Sequence, residues 1–143
     1  MRLKDRVAIV TGGSRGIGKA IALAFAREGA QIVIVGRNLA RAEEVANQIE
    51  SNSGRAIALH ADVSIEADVA RMMEQVLSHF GKIDILVNNA GVNLPYRRVV
   101  DLTVEEWSHV VGVNLTGPFL CARAVLPSMI SQHYGKIINI ASI

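Results

Sequence analysis

Between the first apolar run of the chain, Val7-Ala8-Ile9-Val10, and the helical pattern after it stands Thr11-Gly12-Gly13-Ser14-Arg15-Gly16-Ile17-Gly18. This G-x-x-x-G-x-G spacing gathers backbone N–H groups and a helix N-terminus around one point, which is what a pyrophosphate requires. Gly12 permits the tight turn, Gly16 lets the backbone approach the phosphates, and Gly18 lets the helix lie against the strand. Ser14, Arg15 and Ile17 are the other candidate contacts in the turn. A glycine pattern alone is weak. Its place between a first strand and a first helix makes it a dinucleotide signal, with a merely structural turn as the alternative.

Short apolar runs alternate along the chain with longer segments of helical period. Ile17, Ala20, Ile21, Ala24 and Phe25 mark a helix that Gly29 stops. A second strand, Ile32 to Val35, leads through Gly36-Arg37-Asn38 into a helix carrying Ala42, Val45, Ala46 and Ile49. A third, Ala56 to Leu59, precedes Asp62-Val63-Ser64, and Ser64 is the expected cap of a helix bearing Val69, Met72, Met73, Val76, Leu77 and Phe80. A fourth, Ile83 to Val87, runs into Asn88-Asn89-Ala90-Gly91, and Thr103 with Glu106 predicts a capping box. The helix it opens is expected to break near Asn114 to Pro118 and resume to about Met129. A fifth strand, Ile137 to Ile140, comes just before Ser142 and Ile143. Strands alternating with helices in this way demand an α/β fold, a three-layer, doubly wound parallel sheet, for which we expect strand order 3-2-1-4-5 in a single domain over residues 1–143. The sequence stops at the fifth strand, whose edge would lack a neighbour, so we expect a longer polypeptide, or a remainder that is disordered or cut away.

Composition narrows the function classes. Fifteen basic against 13 acidic residues give a formal net charge of +2, too balanced for a nucleic-acid or polyanion surface. Cys121 is the single cysteine, and with no cluster of ligand types around it a core thiol is the expected reading; no metal site is expected. No apolar stretch is expected to reach the roughly 20 residues of a membrane span, and a cytoplasmic protein with no membrane partner is expected.

The segments TGGSRGIG and NNAG, the latter at 88–91, together with Asn114 and Ser142, resemble the short-chain dehydrogenase/reductase family over the whole chain, with its Rossmann-like fold. The resemblance implies that Ser142 orients a carbonyl and that Asn114, in a helix kink, holds a water of the proton relay; a strand-end Ser and a helix-breaking Asn with local bonds are the alternatives. It implies an adenine contact at Asp62 and Val63, where a helix-capping Asp is the alternative. Asn88 and Asn89 would tie strand ends together, with Asn89, Ala90 and Gly91 beside the cofactor. NAD-selective relatives carry an acidic residue where this chain has Gly36, so Arg37, beside Asn38, and Arg15 are expected to converge on a 2′-phosphate and select NADP(H). Two solvated loop arginines are the alternative.

One departure from the family bears on mechanism. Its Tyr-x-x-x-Lys pair is missing, since Tyr96 is followed four residues on by Val100 and Tyr134 by Ile138. We expect an NADP(H)-dependent oxidoreductase interconverting a small-molecule carbonyl and a secondary alcohol, like 3-oxoacyl-carrier-protein reductases or sugar-alcohol dehydrogenases. The Tyr and Lys would lie beyond this chain, leaving the 143 residues alone inactive and prone to aggregate through the fifth strand. The full-length protein is expected to be a homotetramer, and a non-catalytic dinucleotide-binding or interaction module is the alternative function.

Overall fold

Val7–Thr11 (β1), Gln31–Gly36 (β2), Arg55–His60 (β3), Ile85–Asn88 (β4) and Lys136–Asn139 (β5) form one sheet in the computed structural model, which describes residues 1–142. Every neighbouring pair is parallel and the order is β3-β2-β1-β4-β5, as the alternation of apolar runs and helices requires. Five α-helices accompany them: Gly16–Arg27 (α1), Leu39–Glu50 (α2), Glu66–Phe80 (α3), Val104–Val111 (α4) and Gly117–Ser131 (α5). The strand period of two divides the core. Val7, Ile9, Val33, Val35 and Leu86 meet Met72, Val76, Leu120 and Val125 on one face. Ala8, Val10, Ile32, Ile34 and Val87 meet Ala22, Ala42, Val45 and Ile49 on the other. The buried Cys121 belongs to the first of these, and burial raises its thiol pKa to about 12.

Connections run outward from β1 to β2 and β3, then return to β4 and β5 on its other side. The order therefore reverses between β1 and β4, and a crevice opens beyond the carboxyl ends of the strands there. The opposite, amino ends are pinned by Asp84, 2% exposed. Its carboxylate accepts from the Val7 N–H at 2.9 Å and pairs with Arg6 at 2.9 Å and Lys82 at 3.0 Å. The Arg6 guanidinium also lies 3.9 Å from the centroid of the Tyr134 ring.

Four local expectations need correction. α1 buries Gly18 and Ala22, while Ile17 is 64% exposed, because the helix turns its second residue toward the crevice rather than the core. Ser64 does not cap α3. The N-cap is Ile65, and the Ser64 hydroxyl instead donates to Asp62 Oδ1 at 2.6 Å. The helix beyond Thr103 does not break; it widens into a π turn at Gly112–Thr116, where the Gly117 N–H reaches back to the Gly112 carbonyl. Pro118 has no N–H to continue the tighter ladder, and shifting the register keeps the helix whole. The resulting stretch Val104–Ser131, 28 residues containing an 18-residue window of mean hydropathy 1.4, is by length and composition long and apolar enough to cross a bilayer, contrary to expectation. Its apolar content serves the core on one side, where Val113, Leu120, Cys121, Val125 and Met129 are buried against α3 and β4. Trp107, Leu115, Phe119 and Ile130 remain exposed on the other.

Candidate functional site

The crevice holds a cavity of about 400 Å³. Gly12, Ser14, Arg15, Gly16 and Ile17 line it from the glycine turn, and Val35, Gly36, Arg37, Asn38 and Arg41 from the end of β2 onward. Ala61, Asp62 and Val63 follow β3, Asn89 to Val92 follow β4, and Val113 comes from the π turn. Of the cofactor contacts expected from the sequence, Gly18 alone is absent from this wall. It lies behind the turn, where a Cβ would run into the Gly12 carbonyl and the Asn89 amide, so its role is to seat α1 on the turn. Gly12 has φ +62, and a Cβ there would fall 2.9 Å from Ala90 Cα. Gly16, at φ +53, has nothing within 4 Å of its Cβ position and leaves open room above the turn.

Asn88 and Asn89 divide their work. The Asn88 amide, 4% exposed, donates to Asn139 Oδ1 at 2.9 Å and ties β4 to β5. Asn89 donates from Nδ2 to the carbonyls of Thr11 at 3.0 Å and Gly12 at 3.1 Å, fixing the glycine turn to the end of β4. Thr11 Oγ1 completes the junction by accepting the N–H groups of Asn89 and Ala90, each at 3.0 Å. A buried hydroxyl has both acceptor and donor capacity, and its donor goes to the Val87 carbonyl at 3.3 Å.

After β3, Asp62 Oδ1 takes both the N–H and the hydroxyl of Ser64, while the Asp62 N–H donates to Asp68 Oδ2 at 2.9 Å. That N–H, together with the Arg71 guanidinium, holds the Asp68 carboxyl below the usual range. Val63 is seated against Gly117, where any Cβ would meet its Cγ2 at 2.6 Å. Gly117 is thus a positioning residue that the sequence did not single out, because a Gly before Pro reads simply as a helix breaker.

Arg15, Arg37 and Arg41 line the cavity, and none has an ion pair among the described residues. No carboxylate stands at the end of β2, and a Cβ at Gly36 would approach Ser14 Oγ to 3.3 Å. Asn38 lines the cavity and also caps α2, accepting from the Arg41 N–H at 3.1 Å. Arg41 was missed in the sequence because a charged residue in a helix first turn reads as a solvated one.

The expected catalytic pair is only partly drawn together. Asn114 lies outside the cavity wall, yet its side chain grips Val92, which is part of that wall, through two hydrogen bonds of 2.8 Å. Those bonds span 22 residues, so they are not the local bonds of a mere helix breaker. Ser142 follows β5 at the carboxyl edge of the sheet, the edge on which the cavity opens, without lining it. Tyr96 is fully exposed, and Tyr134 sits under Arg6 at the amino end, away from the cavity. Among the described residues no group of three or more His, Cys, Asp or Glu side chains is placed to hold a metal.

Comparison with known proteins agrees with this geometry. The family model for short chain dehydrogenase matches residues 6–143. An uncharacterized oxidoreductase of Staphylococcus epidermidis is 42% identical over 142 residues, covering 99% of this chain and 60% of the relative. A 3-oxoacyl-[acyl-carrier-protein] reductase of Synechocystis is 42% identical over 142 residues, covering 99% of this chain and 57% of that protein. The crystal structure of a metagenomic short-chain oxidoreductase in complex with NADP superposes with a TM-score of 0.96 at 38% identity, covering all of this chain and 65% of that one. The chain thus spans about three fifths of the length of the relatives it matches. With the family's glycine turn, strand order and NNAG junction all in place, the chain belongs to the short-chain dehydrogenase family.

Proposed function

We propose that the protein carrying this chain is an NADP(H)-dependent oxidoreductase that interconverts a carbonyl and a secondary alcohol. The cavity suits the cofactor: Gly16 leaves open space over the turn, and the turn leads directly into the N-terminus of α1. The dinucleotide, when bound, supplies or accepts the hydride. The residues here bind and orient it. The glycine turn holds the pyrophosphate, Asp62 and Val63 hold the adenine, and Arg15 and Arg37 hold the 2′-phosphate. Ser142 orients the carbonyl oxygen. Asn114 acts through Val92, fixing the wall beside the reacting groups. The proton-donating Tyr and its Lys are supplied from outside these 143 residues.

The observation that carries the choice of NADP(H) is Gly36 at the end of β2, where NAD-selective relatives carry a carboxylate and this chain instead brings Arg15, Arg37 and Arg41, without ion pairs among the described residues, to the same cavity. Calorimetric titration of the intact protein with NADPH and NADH tests it, and tighter binding of NADPH is expected. Equal binding, or tighter NADH, would sink the assignment. A 3-oxoacyl thioester or a sugar ketone is the substrate class to supply first, with NADPH consumption followed by absorbance. The second reading is a dinucleotide-binding module without turnover, for which the cavity alone would suffice. Binding of NADPH by the intact protein with no consumption across carbonyl substrates would select it. We further propose a homo-oligomer, supported by the exposed Trp107, Leu115 and Phe119 on the long helix, and light scattering of the intact protein tests this.

A further inference from the structure

Six arginines, Arg2, Arg6, Arg71, Arg97, Arg98 and Arg123, each hold a carboxylate. Among the described residues Arg41 holds none, although it shares one cavity with Arg15 and Arg37. Cations gathered around one space repel each other, and against three guanidinium groups the cavity wall sets a single carboxylate, that of Asp62. The position sharpens the point. A helix first turn carries partial positive charge and favours carboxylates. α3 and α4 obey, with Glu66 and Asp68 in one first turn and Glu105 and Glu106 in the other. α1, α2 and α5 have no acidic residue in their first turns, and α2 has Arg41 there, beside the cavity. Its N–H is also fixed, donating to Asn38 Oδ1, so the residue is anchored one helical turn beyond the Gly36-Arg37 segment. Both the mutual repulsion and the helix dipole turn into attraction once a multiply charged anion occupies the cavity.

We infer that Arg41 is a specificity-determining residue of the cofactor site, a third guanidinium that contacts the phosphate on the 2′ position of the adenosine ribose beside Arg15 and Arg37. This rests on the NADP(H) assignment. A phosphate monoester carries a charge of about −1.5 to −2 and three acceptor oxygens at neutral pH, enough to engage three forks of donors. NAD(H) has a hydroxyl at that position, so Arg41 contributes to one cofactor and is silent toward the other.

The test is calorimetry on the intact protein with NADPH, NADH, adenosine 2′,5′-bisphosphate and AMP, for the wild type and for Arg41→Ala, Arg41→Lys and Arg37→Ala. Arg41→Ala is expected to weaken NADPH and adenosine 2′,5′-bisphosphate on the order of tenfold, a typical effect of losing one charge-assisted contact at a partly exposed site. NADH and AMP should change by less than about twofold, and Arg41→Lys should recover part of the loss, since it restores the charge without the fork. Unchanged NADPH affinity in Arg41→Ala, with a loss in Arg37→Ala, would overturn the inference, as would equal losses for NADPH and NADH. Failure of the NADP(H) assignment looks different: the wild type itself would bind NADH as tightly as NADPH and adenosine 2′,5′-bisphosphate no better than AMP, and both proposals would fall.

Discussion

The Asn114 side chain holds both backbone groups of Val92, its Oδ1 accepting from the N–H and its Nδ2 donating to the carbonyl, each at 2.8 Å. A side-chain amide presents a donor and an acceptor side by side, and so completes a stretch of backbone as a neighbouring strand would. The π turn sets that amide against the loop after β4, and the loop forms the cavity wall.

Replacing Asn114 by Ala should therefore loosen that wall. We expect about 1–2 kcal/mol less stability from two lost hydrogen bonds at a partly exposed site, read as a lower urea midpoint, and weaker NADPH binding. Asn114→Asp keeps the acceptor but sets a carboxylate oxygen against the Val92 carbonyl, so it should do no better than Ala. Wild-type behaviour in the Asp variant would mean that the clamp is immaterial.

Gly36→Asp should reverse the cofactor preference. Its Cβ would press on Ser14 Oγ at 3.3 Å, which a hydroxyl can relieve by a small shift, and its carboxylate would face the 2′ position. We expect NADPH affinity to fall on the order of a hundredfold through like-charge repulsion while NADH gains a hydrogen-bond acceptor. The ratio of the two dissociation constants is the readout, and an unchanged ratio would contradict the placement of the 2′-phosphate.

Two glycines of the same turn should separate stability from binding. Gly18→Ala forces a methyl onto the Gly12 carbonyl and the Asn89 amide, so we expect a loss of roughly 2–3 kcal/mol with binding lost as well. Gly16→Ala meets no neighbour and bears only the strain of φ +53, about 1 kcal/mol, yet its methyl enters the phosphate space. Its thermal unfolding should be little changed and its NADPH affinity strongly reduced. Gly16→Ala proving the more destabilising of the two would reject this division.

Asp84 should govern the acid side of the stability profile. Burial pushes its pKa up, and the Val7 N–H, Lys82 and Arg6 more than reverse this, leaving it below its ordinary value. A carboxyl depressed in the folded state contributes stability that is full above the unfolded pKa of about 3.9 and disappears as pH falls through the folded value. Asp84→Asn should thus lose about 2–3 kcal/mol at neutral pH and show a shallower decline below about pH 4 in urea titrations. Parallel acid profiles in variant and wild type would remove Asp84 from this role.

Much of this architecture was legible because β1, β2 and β4 are buried on both faces and so read as unbroken runs of Val, Ile and Leu. The glycine turn was legible because its spacing answers a backbone requirement. What escaped depended on choices between equivalent partners. Ser64 had the composition of a helix cap, and the nearby Asp62 carboxylate took its hydroxyl instead. Gly117 and Pro118 signalled a disturbed helix, but only the three-dimensional ladder decides between a break and a wider turn. Arg41 looked solvated until the cavity was seen to include it. Asn114 was singled out, while its partner Val92 lay 22 residues away in a segment with no pattern of its own.

The central position of β1 also sets a timetable. It leaves the ribosome before the other four strands among the described residues, and β2 and β3 can close on one side of it as they emerge. Its other side waits for β4 and for the Asp84 carboxylate, 77 residues downstream of the Val7 N–H it will receive. Throughout that interval the nascent chain carries a three-stranded sheet whose open edge is its most apolar strand. The order in which this protein is made and the order in which its centre is sealed are different, and folding factors have that interval in which to act.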